Sequence, residues 1–202
     1  MNNTFYTPSE LPELGLKCYG SNIQISRRAS IYSPENIEIG DNVRIDDFCI
    51  LSGGGGIKLG SFIHIAPFCG LYGGSGIEIG DFAGLSSRTA LYSESDDFSG
   101  ESLTNPTVPV SFKPKYQRGK IVICAHGILG TNSTVLPGVH IAEGAAICAH
   151  SLVFRNCKSW SIYGGNPAIR LKERSQMLLK QEEAFRNAVK TAKGSSDYGA
   201  RS

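Results

Sequence analysis

Glu35–Leu51 reads ENIEIGDNVRIDDFCIL, Gly55–Leu71 reads GGIKLGSFIHIAPFCGL, and Ser75–Leu91 reads SGIEIGDFAGLSSRTAL. The three stretches align at a spacing of 20 residues. Aliphatic residues coincide at Ile37, Ile57 and Ile77, at Ile39, Leu59 and Ile79, at Ile45, Ile65 and Leu85, and at Leu51, Leu71 and Leu91. Within each stretch the inward positions recur every six residues. A helix would demand about 3.6 and an amphipathic strand about two. A period of six suits a triangular coil whose flat sides are short strands, each with one inward aliphatic. A small residue four places on also faces inward: Val43, Cys49, Ile63, Cys69, Ala83 and Thr89. Gly40, Gly60 and Gly80 follow an aliphatic and read as tight corners. Three sides need 18 residues, so the repeat of 20 leaves two extra at one corner, in SPEN (33–36), SGGG (52–55) and YGGS (72–75).

The pattern begins earlier, at Ile25 and Ile31, and resumes at Ile123, Leu129, Val135, Ile141, Ile147 and Val153 with a period of 18 per coil. No coil buries its own face, so stability must come from stacking, and the two open ends need covers. Residues 1–20 are expected to form an N-terminal cap. There Thr7-Pro8-Ser9-Glu10 reads as a capping box opening a short helix. The coils occupy residues 21–172. Residues 173–192, ERSQMLLKQEEAFRNAVKTA, have helical composition, and the chain ends in a loose polar tail within a C-terminal segment of 173–202. Residues 92–122 break the period with three prolines and scattered polar groups. Long excursions from a regular scaffold are usually functional.

Composition excludes other classes. The 202 residues carry a net charge of +2 with no basic block, which argues against nucleic acid as a partner. No apolar run approaches the ~20 residues of a membrane span, and no signal peptide is expected from the opening residues, which lack a basic start followed by an apolar run. Six cysteines form no CxxC pair and four lie within the repeats. They read as reduced packing residues of a cytoplasmic protein.

The run ICAHGILGTNSTVLPGVHIAEGAAICAHSLVFRNCKSWSIYGGNPAIRLKER (123–174) carries the most specific signal. Its corners Pro137-Gly138-Val139 and Glu143-Gly144-Ala145, and Gly165-Asn166-Pro167-Ala168 followed by basic residues, resemble the hexapeptide-repeat acyltransferase superfamily. The likeness is to bacterial sugar O- and N-acetyltransferases of surface-polysaccharide synthesis, over roughly residues 20–175. The resemblance implies an all-β, left-handed parallel β-helix with a long excursion loop and a C-terminal helix. It also implies a homotrimer with sites between subunits, acetyl-CoA as acyl donor, and a sugar hydroxyl as acceptor, in O-antigen, capsule or other surface-polysaccharide synthesis. The alternative is N-acetylation of a nucleotide-linked amino sugar.

Acyl transfer from a thioester needs a proton acceptor, oxyanion stabilisation and alignment of both substrates. The chain has four histidines, His64, His126, His140 and His150. His64 precedes an inward aliphatic, so its ring should face outward, and it is the expected general base. Many relatives place that histidine in the excursion or just before it. This excursion holds none, only Ser93, Glu94, Ser95, Asp96 and Asp97. Asp96 or Asp97 is therefore expected to orient His64 or to act as the base. Ser93, Glu94 and Asn105 are expected at the acceptor. The resemblance places coenzyme A along the late coils, where Gly130, Ser133, Ala149 and Ser151 are expected to line the pantetheine path. Arg170 and Lys172, with Arg174 beyond them, are expected to meet the phosphates. No metal is expected, since the histidines lack the close spacing a zinc site requires. A non-catalytic trimeric scaffold is the remaining alternative.

Overall fold

A computed structural model describes residues 4–197, with side chains through Val189. Three parallel sheets form the walls of a prism of about seven turns, the coil that the sixfold spacing implies and the left-handed β-helix that the resemblance implies. The first wall stacks Cys18–Tyr19, Ile37–Ile39, Ile57–Leu59, Ile77–Ile79, Ile121–Ile123 and His140–Ile141. The second runs from Gln24–Ile25 through Val43–Ile45, Ile63–Ile65, Gly84–Leu85, Ile128–Leu129 and Ala146–Ile147 to Ser161–Gly164. The third comprises Ser30–Tyr32, Ile50–Ser52, Gly70–Tyr72, Ala90–Tyr92, Thr134–Val135 and Leu152–Val153.

Register follows the repeat. Ile37 pairs with Ile57 and Ile57 with Ile77. The excursion leaves this intact, because Ile77 pairs next with Ile121. Wall pairing thus resumes at Ile121, slightly before the expected end of the excursion. Ile25, Ile45, Ile65, Leu85, Leu129 and Ile147 form one inward column, all at 3% exposure or less. Each such side chain contributes roughly 1.5–3 kcal/mol on burial, before chain entropy is set against it.

The corners show which property of each residue matters. Gly40, Gly60 and Gly80 do not adopt the left-handed backbone. A Cβ on Gly40 would sit 2.6 Å from the Gly60 carbonyl oxygen, and one on Gly80 would sit 2.6 Å from the Ala125 nitrogen. The glycine is demanded by coil-to-coil approach, not by torsion as the sequence suggests. The left-handed residue comes two places later: Asn42, Phe62, Phe82 and His126 have φ of 56°, 60°, 58° and 60°. Each such non-glycine residue costs about 1–2 kcal/mol. Stacking offsets this, with Phe62 on Phe82 at 4.8 Å and Phe82 on His126 at 5.4 Å.

Both ends are covered. The Glu10 carboxylate accepts from the Thr7 amide at 2.8 Å and its hydroxyl at 2.6 Å. The element that follows is a single 3-10 turn at Leu11–Leu14, not a helix opening at Pro8. At the other end Ile169–Glu173 folds back antiparallel on Ser161–Gly164 and closes the second wall. The helix therefore begins later than composition predicts and spans Leu178–Asp197. It runs into the stretch expected as a tail, whose last residues, 198–202, lie outside the described residues, as do residues 1–3 of the cap. Among the described residues, no helix is long and apolar enough to cross a membrane.

Candidate functional site

On the outer face of the second wall, Arg44, His64 and Gly84 are neighbours in register. The His64 side chain is 54% exposed, and its Nε2 lies 2.7 Å from Asp46 Oδ2. Asp46 Oδ1 accepts from Arg44 Nε at 2.7 Å. Burial of Asp46 pushes its pKa up, but the hydrogen bonds from His64 and Arg44 outweigh it and hold the carboxyl below its ordinary value. An anionic Asp46 makes Nε2 the donor, and in the neutral imidazole Nδ1 is then the acceptor. His64 and its neighbours Ala66, Gly84, Ser86, Ser87 and Ile128 line a groove of about 390 Å³.

Asp46 was not singled out by sequence reasoning, which looked for the orienting carboxylate in the excursion. The available signal was its place two residues after Arg44, which stands one 20-residue coil before His64 on the same wall.

The excursion carboxylates do different work. Asp97 accepts from the Ser99 hydroxyl at 2.7 Å and from the amides of Ser99, Glu101 and Ser102 at 2.8–3.0 Å. The Ser99 hydroxyl and these amides hold its pKa below the ordinary value. It is the hub of a turn and has little capacity left for a substrate. Asp96 Oδ2 accepts the Asn105 amide at 2.9 Å, whereas its buried Oδ1 has no hydrogen-bond donor. Lys113, nearly buried, sits 3.9 Å from that oxygen, donates to the Asn105 carbonyl at 3.0 Å and lies 4.6 Å over the Tyr116 ring.

The side chains expected at the acceptor are engaged in building the loop. Ser93 is fully buried, donates to the Tyr72 carbonyl and accepts the Ser75 amide, both at 2.9 Å. Glu94 accepts from the Ser75 hydroxyl at 2.8 Å and from Tyr116 at 3.1 Å. Asn105 Oδ1 caps Thr107 through its amide and hydroxyl at 3.0 and 2.6 Å. A long irregular segment must satisfy its own backbone; Asn105 does so, while Ser93 and Glu94 tie the base of the loop to the corner at Tyr72 and Ser75. The excursion leaves from the corner between the third and first walls, whereas His64 and Ser86 flank the corner between the second and third. The structure therefore brings His64 together with Asp46, and no hydrogen bond or ion pair joins His64 to Asp96 or Asp97 within one chain.

The coenzyme-side residues divide. Ser133 and Ser151 point into the prism, at 0% and 2% exposure. Ser133 donates to the Gly130 and Cys148 carbonyls at 2.7 and 3.0 Å, and Ser151 to Cys148 at 2.7 Å. They tie corners from inside, which leaves only their backbone groups for the expected pantetheine path. Gly130 is a coil-contact glycine, since a Cβ there would lie 2.4 Å from the Ala149 nitrogen. Ala149, Arg170 and Lys172 are exposed. Arg170 donates to Ser161 Oγ at 3.0 Å, and Arg174 donates to the carbonyls of His126 and Gly144 at 2.8 and 2.9 Å.

His126 is a packing residue, 8% exposed, with Nε2 2.8 Å from Glu182 of the C-terminal helix. Hydrogen bonding from Arg186, then the charge of His126, lowers the Glu182 pKa against the effect of burial. Phe185 meets Phe62 and Phe82 edge-on at 5.2 and 6.1 Å. This helix roofs a second groove of about 380 Å³, lined by Phe82, Gly84, His126, Ile128, Leu178 and Phe185 among others. His140 Nε2 lies 3.3 Å from Cys124 Sγ on the first wall, and His150 Nε2 3.4 Å from Asn132, both remote from His64 in register. Among the described residues, no three His, Cys, Asp or Glu side chains converge as a metal site would require.

No protein-family profile matches the chain. It is similar to the dTDP-4-amino-4,6-dideoxy-D-glucose acyltransferase of Escherichia coli, 43% identical over 178 residues covering 88% of this chain and 92% of that protein. A variant of AntD, an N-acyltransferase from Bacillus cereus, has been solved with dTDP-4-amino-4,6-dideoxyglucose and coenzyme A. It superposes with a TM-score of 0.90 at 44% identity, over 93% of this chain and 100% of AntD. AntD has also been solved with dTDP and 3-hydroxybutyryl-CoA. A maltose O-acetyltransferase from Clostridium difficile 630 shares the fold alone, with a TM-score of 0.53 at 17% identity over 83% of this chain and 74% of its own.

Proposed function

This chain belongs to the sugar acyltransferases of the hexapeptide-repeat superfamily, and from that premise we propose that it moves an acyl group from a coenzyme A thioester to the amino group of a dTDP-linked 4-amino-4,6-dideoxy sugar. The observation that carries this reading is identity of 43–44% across nearly the full length of two proteins that act on or bind that sugar nucleotide. An amine acceptor, the alternative in the sequence reading, replaces the sugar hydroxyl that was its first expectation.

The chemistry is addition and elimination. The neutral amine attacks the thioester carbonyl carbon, the C–N bond forms and the carbonyl oxygen becomes an oxyanion. The C–S bond then breaks, coenzyme A leaves as its thiol, and the nitrogen gives up one proton. An amine is a better nucleophile than a hydroxyl, so the protein's main tasks are positioning and proton acceptance.

The solved AntD variants alter a serine and an aspartate ten positions apart. Two pairs here share that separation, Ser86 with Asp96 and Ser87 with Asp97. Because Asp97 holds the loop turn and Asp96 retains a carboxylate oxygen without a donor, Asp96 is the proton acceptor in this reading and Ser86 the donor to the oxyanion. His64, oriented by Asp46, lines the same groove as Ser86 and is the second proton acceptor to be tested. Since Asp96 and Ser86 lie at different corners of one chain, the site is assembled from two copies in a cyclic homotrimer, the excursion of one reaching the groove of the next. Arg170 and Lys172 face the coenzyme phosphates, with the pantetheine arm passing the exposed Ala149. Acetyl-CoA is the default donor. The location is cytoplasmic, where acyl-CoA and nucleotide sugars occur, and the product is a precursor for surface polysaccharide.

Thiol release from acetyl-CoA, measured with dTDP-4-amino-4,6-dideoxyglucose and with dTDP-glucose, tests the reading. Turnover is expected only with the amino sugar. Turnover with dTDP-glucose alone restores the hydroxyl acceptor.

A further inference from the structure

Glycines within these strands and corners mostly have a visible cause. Gly40, Gly60 and Gly80 leave room for the adjoining coil, and a Cβ on Gly70 would lie 2.6 Å from the Tyr72 ring. Gly84 is different. It sits in the strand Gly84–Leu85 with its missing side chain outward, its φ is not left-handed, and a Cβ there would meet nothing within 4 Å. Neither torsion nor intramolecular packing requires glycine at this position. A strand glycine forfeits entropy and packing, and one without an internal cause marks a place where something else approaches the backbone.

The surroundings indicate what approaches. In register, Gly84 lies between His64 and Ile128. The two grooves, of about 390 and 380 Å³, share only Gly84 and Ile128. One contains His64 and Ser86, while the other is walled by the apolar Phe82, Ile128, Leu178 and Phe185. Gly84 is thus the floor of the passage from the reacting centre to an apolar pouch beneath the C-terminal helix.

We propose that Gly84 sets the acyl-chain specificity: the notch passes the part of a donor chain that extends beyond acetyl, and the pouch takes it up. The inference rests on the acyltransferase reading above. His126, Arg174, Gln181 and Glu182 also border the pouch, but its Phe82, Ile128, Leu178 and Phe185 side chains suit an aliphatic acyl group, whose affinity rises roughly fourfold with each buried methylene. A side chain at position 84 fills the passage and penalises the longer donor more than acetyl.

The test compares kcat/KM for acetyl-, butyryl- and 3-hydroxybutyryl-CoA, with dTDP-4-amino-4,6-dideoxyglucose as acceptor, in wild type, Gly84→Ala and Gly84→Val. Wild type is expected to accept the four-carbon donors. The butyryl-to-acetyl ratio should fall by at least about tenfold in Gly84→Val and less in Gly84→Ala. A thermal melt and light scattering accompany the kinetics. Valine suits an outward strand position, so fold and assembly are expected to persist. An equal loss for all donors overturns the proposal, because the notch then serves the pantetheine arm. So does an unchanged ratio, or a change of oligomeric state, which assigns the notch to a neighbouring subunit. A wild type that acylates the amino sugar with acetyl but never with a four-carbon donor overturns the pouch while leaving the acyltransferase reading intact. A wild type inactive with every donor overturns both.

Discussion

The stacked coils from Ile37 to Tyr92 and the excursion that follows them both hold main chain in order, but by opposite means. In the coils the amides bond to equivalent positions of the next turn, as Gly40 to Leu59 at 2.8 Å and Gly60 to Ile79 at 2.8 Å. Side chains there are free to fill the interior or face outward. In the excursion the amides of Ser99, Glu101, Ser102 and Asn105 bond to the side chains of Asp97 and Asp96. A polar residue in the stack's outer face is therefore available to a ligand by default. A polar residue in the excursion is first a structural element, and becomes a chemical one only where a group is left over, as at Asp96 Oδ1.

The sharpest way to break this contrast is to change the two neighbouring loop carboxylates separately. Asp96→Asn is expected to lower kcat by about 10²–10⁴-fold with little change in melting temperature, as loss of a proton acceptor should. If thiol-release kinetics show near-normal turnover, Asp96 is only scaffolding. Asp97→Asn should instead disorder the turn and raise KM along with any fall in kcat. His64→Ala in the same assay decides between the two proton acceptors, since a drop of two decades there moves the base to the imidazole.

On the stack's side of the comparison, Leu71→Ala removes a fully buried wall residue and should cost about 2–5 kcal/mol in urea unfolding. Asn105→Ala in the excursion should cost well under half of that. Equal costs would mean that the loop carries as much of the fold as the coils do.

The smallest effect is expected at the N-terminal cover. A hydrogen bond from Arg27, with others from Thr7, lowers the Glu10 pKa from 4.5 to about 2. A depressed carboxylate stabilises the fold above its ordinary value, and that contribution fades as pH falls from about 4.5 toward 2. Glu10→Gln should flatten this part of the acid-unfolding curve and lower neutral stability only slightly, because solvent screens the half-exposed pair with Arg27.

The walls were legible in the sequence because one aliphatic per six residues admits few other shapes. The same rule placed Cys49, Cys69 and Thr89 inside. Applied to Leu129 and Ile147, it also puts Ser133 and Ser151 inside, four places on, where the structure has them. Gly40 and its equivalents were placed correctly at corners, yet the reason is contact between coils, which no single coil reveals. The helix start was missed because Ile169–Glu173 has an edge strand to complete, a tertiary demand invisible to composition. Asp46 was hidden because its partner lies a coil away. The choice between amine and hydroxyl turns on one atom of the acceptor, which no pattern in this chain encodes.

The excursion is pinched shut at its base, where the Gly119 amide bonds the Ser93 carbonyl at 3.0 Å and Glu94–Ser95 pairs with Gln117–Arg118, while Ile77 and Ile121 stay in step beneath it. Such a neck makes the segment a cassette. Evolution or an engineer can exchange everything between the two short strands for another sequence of different length, altering which molecule is grasped, without the prism registering the swap.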